Sequence, residues 1–242
     1  MRTNYQYSFI SSINPNEPAS WKSKIFLSFD SDWANDEVIL DSYNLVHQHS
    51  VKSTWFITNK SAALEILEHD NLVELGIHPN FNKLLNNVSL SGDSESVLQE
   101  LLSFVPRARS VRSHSLTQNE RLLDLFSKYG LTHISNLFVP YNSGIKMKPF
   151  YLWDNTTIIP HCWQDNVALK MDTGFPNNQD LIDGFYVFDF HPIHIFLNTE
   201  NLDRYEKTRS LHQNPKELIK HRYKGYGTRN RLIELLEGSK KS

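Results

Sequence analysis

The sequence has very little cysteine: Cys162 is the single one among 242 residues. That count excludes a disulfide framework within the chain and a zinc site built on several thiolates. A bound metal would therefore have to be held by His, Asp, Glu or Asn side chains. The chain contains 11 histidines, so the question is whether some of them converge on one site.

Neither sign of charge predominates, because 25 Lys and Arg residues face 27 Asp and Glu residues, for a formal net charge of -2. This balance gives no reason to expect a nucleic-acid partner or an acidic membrane surface. No run of apolar residues is long enough to predict a transmembrane helix. The N-terminus lacks a basic segment leading into an apolar stretch, so we expect no signal peptide and a cytoplasmic location. The sequence does not indicate an oligomeric state.

Short apolar runs alternate with helical patterns along most of the chain, which is typical of a parallel α/β fold. We expect an irregular, TIM-like (β/α) barrel that forms a single domain over residues 1–242 and ends in a helix at about 228–238. A doubly wound open sheet is the alternative, but no GxGxxG turn follows the first strand. The predicted strands lie at 25–29, 54–57, 72–77, 110–113, 133–135, 156–159 and in the run that ends at His191.

Two regions between the strands carry more local detail. Thr117 and Glu120 have the spacing of a capping box and predict a helix that Gly130 ends. Between residues 137 and 179 the pattern is poor, with many Pro, Asn and Gly residues. We interpret that region as long loops near a site or as an irregular excursion.

Two carboxylates follow the first predicted strand, which ends Phe29-Asp30-Ser31-Asp32-Trp33. In extended backbone, residues two apart point to the same face. Carboxylates that close repel each other unless a cation lies between them or one binds a proton. The alternative interpretation is a turn or helix-capping cluster, since a helix follows.

Three later strands also end in polar side chains, namely His78, Arg112 with His114, and His191. Asp189 lies inside the last of these strands among aromatic residues, where a carboxylate needs a partner. In a parallel barrel the carboxyl ends of the strands share one face, and active sites form there. The convergence of Asp, His and Arg at these strand ends therefore predicts an active site.

The segments SFDSDW, GIHPNFN, VRSHS and FDFHP occur in the order found in the NodB-homology polysaccharide deacetylases, carbohydrate esterase family 4. The chain resembles most closely the divergent subgroup associated with bacterial surface-polysaccharide loci, over about residues 24–198. The resemblance implies an irregular (β/α) barrel. It also implies a metal-dependent hydrolase that removes an acetyl group from an acylated sugar or polysaccharide intermediate.

The resemblance assigns catalytic roles to four residues. Asp30 resembles the general base that activates water, and Arg112 resembles the arginine that holds the base carboxylate. His191 resembles the acid that protonates the leaving group. Asp165, in the Trp163-Gln164-Asp165 segment, is the candidate for the acidic residue that tunes this histidine. Proton transfers by such an acid and base contribute roughly 10²- to 10⁴-fold to a rate.

The resemblance also implies a divalent metal, with Zn²⁺ expected first and Co²⁺ or Ni²⁺ as alternatives. Asp32 and His78 match ligand positions of the family, although Ser31 separates the two aspartates that are usually adjacent. Asn82 replaces the family's second histidine. The third ligand is therefore Asn82 or His114, and we favour His114 because imidazole suits Zn²⁺ better than an amide oxygen.

Trp33 and Trp163 lie beside the proposed site in the sequence, and both are expected to stack on sugar rings. A groove lined by both would favour a sugar, whereas a closed pit would favour a small amide. Two other functions remain open: a catalytically silent sugar-binding or scaffold protein, and an amidohydrolase acting on a small non-sugar amide. The basic stretch 216–231 is interpreted as a solvated surface, with a phosphate contact as the alternative.

Overall fold

The computed structural model describes residues 6–85, 93–176 and 184–238. Strands in these ranges form one sheet that curls around a filled interior. They are β1 (Gln6–Tyr7), β2 (Lys24–Asp30), β3 (Ser53–Ile57), β4 (Val73–Ile77), β5 (Ser110–Val111), β6 (His133–Ile134), β7 (Phe150–Tyr151), β8 (Thr157–Ile158), β9 (Trp163–Gln164) and β10 (Phe185–Phe190). Their order is β7-β8-β6-β5-β4-β3-β2-β10-β9, with β1 beside β2. The pair β7–β8 is antiparallel, and the other pairs are parallel.

Within the described residues, seven helices precede β10 in the chain and four follow it. They are α1 (Pro18–Trp21), α2 (Asp36–His47), α3 (Ala62–Glu68), α4 (Asn82–Leu85), α5 (Ser94–Phe104), α6 (Glu120–Lys128), α7 (Asp165–Met171), α8 (Pro192–Leu197), α9 (Leu202–Lys207), α10 (Pro215–Leu218) and α11 (Thr228–Glu237). Single 3₁₀ turns occupy Ile10–Ser12, His114–Leu116, Arg209–Leu211 and Ile219–His221. Within the described ranges, no helix is long and apolar enough to span a bilayer.

The stretch from β8 to β9 carries the chain across the gap between the two ends of the sheet. Ile159 N donates to Ile134 O of β6, and Phe138 pairs with His161. One residue later, Cys162 N donates to Val187 O of β10. This irregular closure confirms the predicted (β/α) barrel in a single domain.

The barrel interior changes from apolar to polar along the strands. Side chains of alternating residues point inward, and Phe26 of β2 and Val187 of β10, which are opposite each other in register, belong to an apolar cluster with Phe56, Ile10 and Ile13. The next inward positions of β2 and β10 are Ser28 and Asp189, which are opposite each other in the strand register. Asp30 and His191 follow at the top of the same two faces. Along these two strands, the inward side chains are therefore apolar first, then buried and polar, and the site residues come last.

Helix α6 begins at a different cap from the predicted one. The Asn119 side chain accepts a hydrogen bond from Leu122 N and caps the helix, so the capping box of Thr117 and Glu120 was wrong. Thr117 instead donates its hydroxyl to His114 O at 3.1 Å. The end of the helix agrees with the prediction, because Gly130 follows it with a φ of +74°.

The irregular region 137–179 contains β8, which the predicted strand at 156–159 covers, and it also contains β7, β9 and the helix α7, which the sequence pattern missed. Residues 177–179 of that region lie outside the described residues. The C-terminal basic stretch has a structural explanation for two of its arginines. Arg222 and Arg229 both pair with Asp41 of α2 and so fasten the end of the chain to that helix.

Candidate active site

A sharp turn after β2 positions the second aspartate. β2 ends at Asp30, and both Asp32 and Trp33 have left-handed backbone, with φ values of 41° and 55°. Such conformations cost on the order of 1–3 kcal/mol each for residues other than glycine. Hydrogen bonds to Thr58 offset this cost. Trp33 N donates to Thr58 Oγ1 at 3.0 Å, and Thr58 N donates to Ser31 Oγ at 3.0 Å. The expectation that strand alternation directs Asp32 was therefore wrong: this turn directs it.

Asp32, His78 and His114 bring one atom each to a small triangle. Asp32 Oδ1 lies 3.1 Å from His78 Nε2 and 3.1 Å from His114 Nδ1. The two ring nitrogens are 3.4 Å apart. His78 is buried at the end of β4, whereas His114 and Asp32 are partly exposed. The triangle thus has one buried corner and faces outward on the other two.

His114 rather than Asn82 completes this triangle. His114 begins the 3₁₀ turn after β5, and its backbone N donates to Pro79 O at 2.9 Å, which draws the turn toward the His78 loop. Asn82 directs its side-chain amide to Ser115 Oγ at 3.3 Å. Of the two third ligands left open by the sequence, the geometry favours His114.

The triangle fits a tetrahedral divalent cation. Ligands about 2.0–2.1 Å from Zn²⁺ at tetrahedral angles lie about 3.3–3.4 Å apart, close to the edges observed. Burial raises the pKa of Asp32, but hydrogen bonds from His114 and His78 outweigh it and hold that pKa well below its usual range, so the carboxylate is charged. His78 Nδ1 is buried without a hydrogen-bond partner and lies 3.6 Å from Asp30 Oδ2. A ligating histidine commonly presents its other N–H to a carboxylate in this way.

Arg112 holds Asp30 at the edge of this triangle. Arg112 Nη1 donates to Asp30 Oδ1 at 2.9 Å, and both side chains are buried. Asp30 Oδ2 is directed toward His78. Asp30 thus has one oxygen fixed by a permanent cation and the other beside the candidate metal ligands.

His191 and Asp165 form a second buried pair on the other side of Asp32. His191 Nδ1 lies 2.6 Å from Asp165 Oδ1, and His191 N donates to Asp165 Oδ2 at 2.7 Å. Burial lowers the pKa of His191, but the charge and hydrogen bond of Asp165 outweigh it and hold that pKa well above its usual range. His191 Nε2 lies 3.4 Å from Asp32 Oδ2. The structure therefore brings the predicted Asp165 together with His191 and favours a protonated imidazole there.

A cavity of about 120 Å³ opens beside His191 and Asp32. Among the described residues, its lining is largely aromatic and polar and includes no Lys or Arg: Asp32, Trp33, Ala34, Asn166, His191, Ile193, His194, Tyr205, His212 and Gln213. Trp33 is 40% exposed at its rim. A cavity lined in this way suits an uncharged polar group better than a phosphate.

Trp163 does not line this cavity, and its predicted contact with sugar was wrong. Only 2% of Trp163 is exposed. Its ring packs on Phe175, Phe188 and Phe190 with centroid distances of 5.0, 6.4 and 4.8 Å. It is a core residue below Asp165, and it positions the start of α7 rather than touching a ligand.

Sequence reasoning missed Asn166 and gave no role to His194, which follows the last strand, or to Asp189. Asn166 Nδ2 lies 3.2 Å from His191 Nε2, and Asn166 Oδ1 lies 2.6 Å from His194 Nε2. Asp189 Oδ1 accepts from Arg112 Nη1 at 2.6 Å. Its position two residues before His191 in a strand was the available signal, because that spacing puts both side chains on one face.

His194 should make folding sensitive to mild acid. Burial lowers its pKa to about 4, against about 6.5 in the unfolded chain. Between these values the unfolded state binds more protons, so stability falls as the pH falls. We expect His194 to cost about 2 kcal/mol of unfolding free energy between pH 7 and pH 5. Urea denaturation of the metal-free protein at both pH values should show a correspondingly smaller loss for His194→Gln, and equal losses would contradict the assignment.

The chain is similar to known proteins in sequence and in fold. A family model described as WbmS-like polysaccharide deacetylase matches residues 27–209. A crystal structure from Bordetella bronchiseptica, titled as a polysaccharide deacetylase (WbmS) involved in O-antigen biosynthesis, is 40% identical, with a TM-score of 0.91 over 96% of this chain and 97% of that chain.

Two further solved structures are much less similar. A carbohydrate esterase family 4 pseudoenzyme from Bacillus anthracis is 14% identical, with a TM-score of 0.44 over 84% of this chain and 62% of that chain. A family 4 carbohydrate esterase from the same organism is 16% identical, with a TM-score of 0.35 over 88% of this chain and 82% of that chain. No curated protein matches the sequence.

Proposed function

Because the chain belongs to the WbmS-like polysaccharide deacetylase family, we propose that it is a metal-dependent hydrolase that removes an acetyl group from an acylated sugar. The observation that carries this proposal is the triangle of Asp32, His78 and His114, with Asp30 on one side and His191 on the other. A metal ligand set, a base and an acid are the groups that metal-assisted hydrolysis of an amide or ester uses.

Asp32, His78 and His114 would hold the metal, and their edges and charge suit Zn²⁺, with Co²⁺ or Ni²⁺ as alternatives. When bound, a divalent cation polarises the acyl carbonyl and makes water a better nucleophile near neutral pH. Asn82 takes no part in this proposal, because its amide is directed to Ser115.

Asp30 is the proposed base, and it accepts the proton of the attacking water. Arg112 holds one carboxylate oxygen, which fixes the direction of the other. Water oxygen then bonds to the acyl carbon. The orientation of this oxygen matters first for a general base, because the base must lie within hydrogen-bond reach of the proton that it accepts.

His191 is the proposed acid, and it gives a proton to the departing nitrogen or oxygen as the acyl bond breaks. Asp165 supports this role, because its charge keeps the imidazole protonated and its carboxylate accepts from the ring Nδ1 and from the backbone N of His191. The leaving group then lies on the cavity side of Asp32, where Trp33 offers an aromatic wall at 40% exposure.

The proposed substrate is an intermediate of surface-polysaccharide assembly. The relative from Bordetella bronchiseptica is described with O-antigen biosynthesis. The absence of Lys and Arg from the cavity lining supports an uncharged sugar next to the acid, so any phosphate on the substrate would lie outside this cavity. A cytoplasmic location stays a prediction from the sequence.

Acetate release should test this function directly. We expect Zn²⁺-loaded protein to release acetate from at least one N- or O-acetylated saccharide or nucleotide-linked acetylated sugar. Chelation should stop the reaction, and added Zn²⁺ should restore it. Release from a small aryl amide alone would favour the amidohydrolase. Metal binding and saccharide binding without any release would favour the silent sugar-binding protein.

A further inference from the structure

Arg112 is fully buried beneath the site, and each of its N–H groups has an acceptor. Nε donates to Ser135 O at 3.2 Å. Nη2 donates to Ser28 Oγ at 2.9 Å and to Ser135 Oγ at 3.0 Å. Nη1 donates to Asp30 at 2.9 Å and to Asp189 at 2.6 Å. A guanidinium offers five donors in a rigid plane, so this set of acceptors determines its position completely.

Asp189 is the acceptor in this set that comes from β10, the strand that also carries the proposed acid. It is fully buried and lies opposite Ser28 in the strand register. The guanidinium therefore bridges β2, which ends in Asp30, and β10, which leads into His191. Without Asp189, Arg112 would keep acceptors on β2 and after β6 but would lose its fixed contact with β10.

We propose that Asp189 is a positioning residue that fixes the Arg112 guanidinium between β10 and Asp30. The proposal rests on the proposed role of Asp30 as the base. Asp189 touches neither substrate nor metal ligand and acts through Arg112 alone. Its removal lets the guanidinium tilt away from Asp30, and the base then loses its orientation.

Asp189 fills this position as a neutral carboxylic acid. Arg112 brings one positive charge to the two buried carboxyl groups that it contacts, and the nearby His191 is already paired with Asp165, so a second buried negative charge would lack compensation. Asp189 Oδ2 has no hydrogen-bond partner. Burial raises the pKa of Asp189 well above its usual range. The amide of Asn has the same shape and keeps an acceptor oxygen for Arg112. Asn should therefore preserve the position of the guanidinium, and a hydrocarbon side chain such as Leu should not.

The arrangement also excludes a second cation among Asp30, Asp189 and His191. These three side chains could present ligand atoms close together. Arg112 Nη1 already bonds to both carboxyl groups, at 2.9 and 2.6 Å. A metal at that point would meet a permanent positive charge within a few ångströms, which a buried site does not tolerate.

The test compares Asp189→Asn with Asp189→Leu in the full, Zn²⁺-loaded chain, using 4-nitrophenyl acetate and the acetylated sugar that the wild type hydrolyses. We expect the Leu variant to lose about 10²-fold in kcat, with KM and metal content little changed, and the Asn variant to keep most of its kcat. Asp41→Asn, which weakens the pairing of Arg222 and Arg229 far from the site, is the control for a loss of stability alone. Full activity of Asp189→Leu, or an equal loss in Asp189→Asn, would overturn the proposal.

A second measurement does not depend on activity. Hydrogen exchange of the Arg112 Nε–H, followed by NMR, should be slow in the wild type and in Asp189→Asn and faster in Asp189→Leu. The infrared band of a protonated carboxyl group should disappear in Asp189→Asn. A wild type that hydrolyses nothing would refute the proposed function, while these two signals would still decide whether Asp189 holds Arg112. Unchanged exchange in the Leu variant, or no lost band in the Asn variant, would contradict the assignment of Asp189.

Discussion

Replacing Asp30 with Asn should abolish acetate release while the metal stays bound. Asn keeps the shape of Asp and an oxygen that can accept from Arg112 Nη1, so the buried pair is replaced without a cavity. Its amide has no basicity and cannot take the proton of water. We expect a loss of about 10²- to 10⁴-fold in kcat, the range attributed to a positioned base. The measurement is kcat for acetate release, with metal content determined on the same sample.

Asp36→Asn provides a matched control for this substitution. Asp36 lies in the first turn of α2 and accepts from Ala63 N at 3.1 Å, away from the ligand triangle. The same chemical change there should cost some stability and leave kcat unchanged. Retained turnover in Asp30→Asn would remove Asp30 as the base, and loss of metal in that variant would instead make Asp30 a support of His78.

The general placement of the site could be predicted from the sequence because it depends on topology. Strand ends in a parallel barrel share one face whatever the loops do. Asp30, His78, Arg112 and His191 each end or follow a strand, so their proximity follows from the alternation of strands and helices. The barrel itself was predictable for the same reason.

The finer geometry could not be predicted because it depends on backbone turns and long-range packing. Asp32 reaches the triangle through a left-handed turn that includes a tryptophan, a residue that rarely adopts that conformation. Trp163, like Trp33, lies beside proposed site residues in the sequence, and both were predicted to stack on sugar. In the structure, the rings of Phe175, Phe188 and Phe190 cover Trp163. Residue type alone does not say which tryptophan is covered.

The cap of α6 illustrates the same limit at short range. Thr117 and Asn119 are both good N-cap residues, and they lie only two positions apart. Thr117 donates its hydroxyl to His114 O, in the turn that carries a proposed ligand. The helix begins after Asn119, whose side chain accepts from Leu122 N, and a local pattern does not say which of the two residues caps it.

Removing a proposed metal ligand should have a large effect on metal content. Wild-type protein purified without chelator should carry about one Zn²⁺ per chain. Three protein ligands that leave the fourth position open are typical of a catalytic zinc site. Asp32→Ala and His78→Ala should lose it. Loss of a supporting residue alone commonly costs 10- to 100-fold in metal affinity, so loss of a ligand should cost more than about 100-fold. Metal content by mass spectrometry and a Zn²⁺ titration would measure both.

His114→Ala and Asn82→Ala separate the two candidates for the third position. Both residues follow β4 or β5 at the same edge, and both removals leave the core intact because neither side chain is fully buried. His114 Nδ1 lies 3.1 Å from Asp32 Oδ1, whereas Asn82 bonds to Ser115. Loss of Zn²⁺ should therefore follow from His114→Ala alone. Loss of Zn²⁺ from Asn82→Ala alone would assign the position to Asn82. The proposed chemistry needs the cation to polarise the acyl group. A wild type that binds no Zn²⁺ even in excess would therefore favour the silent sugar-binding protein over the hydrolase.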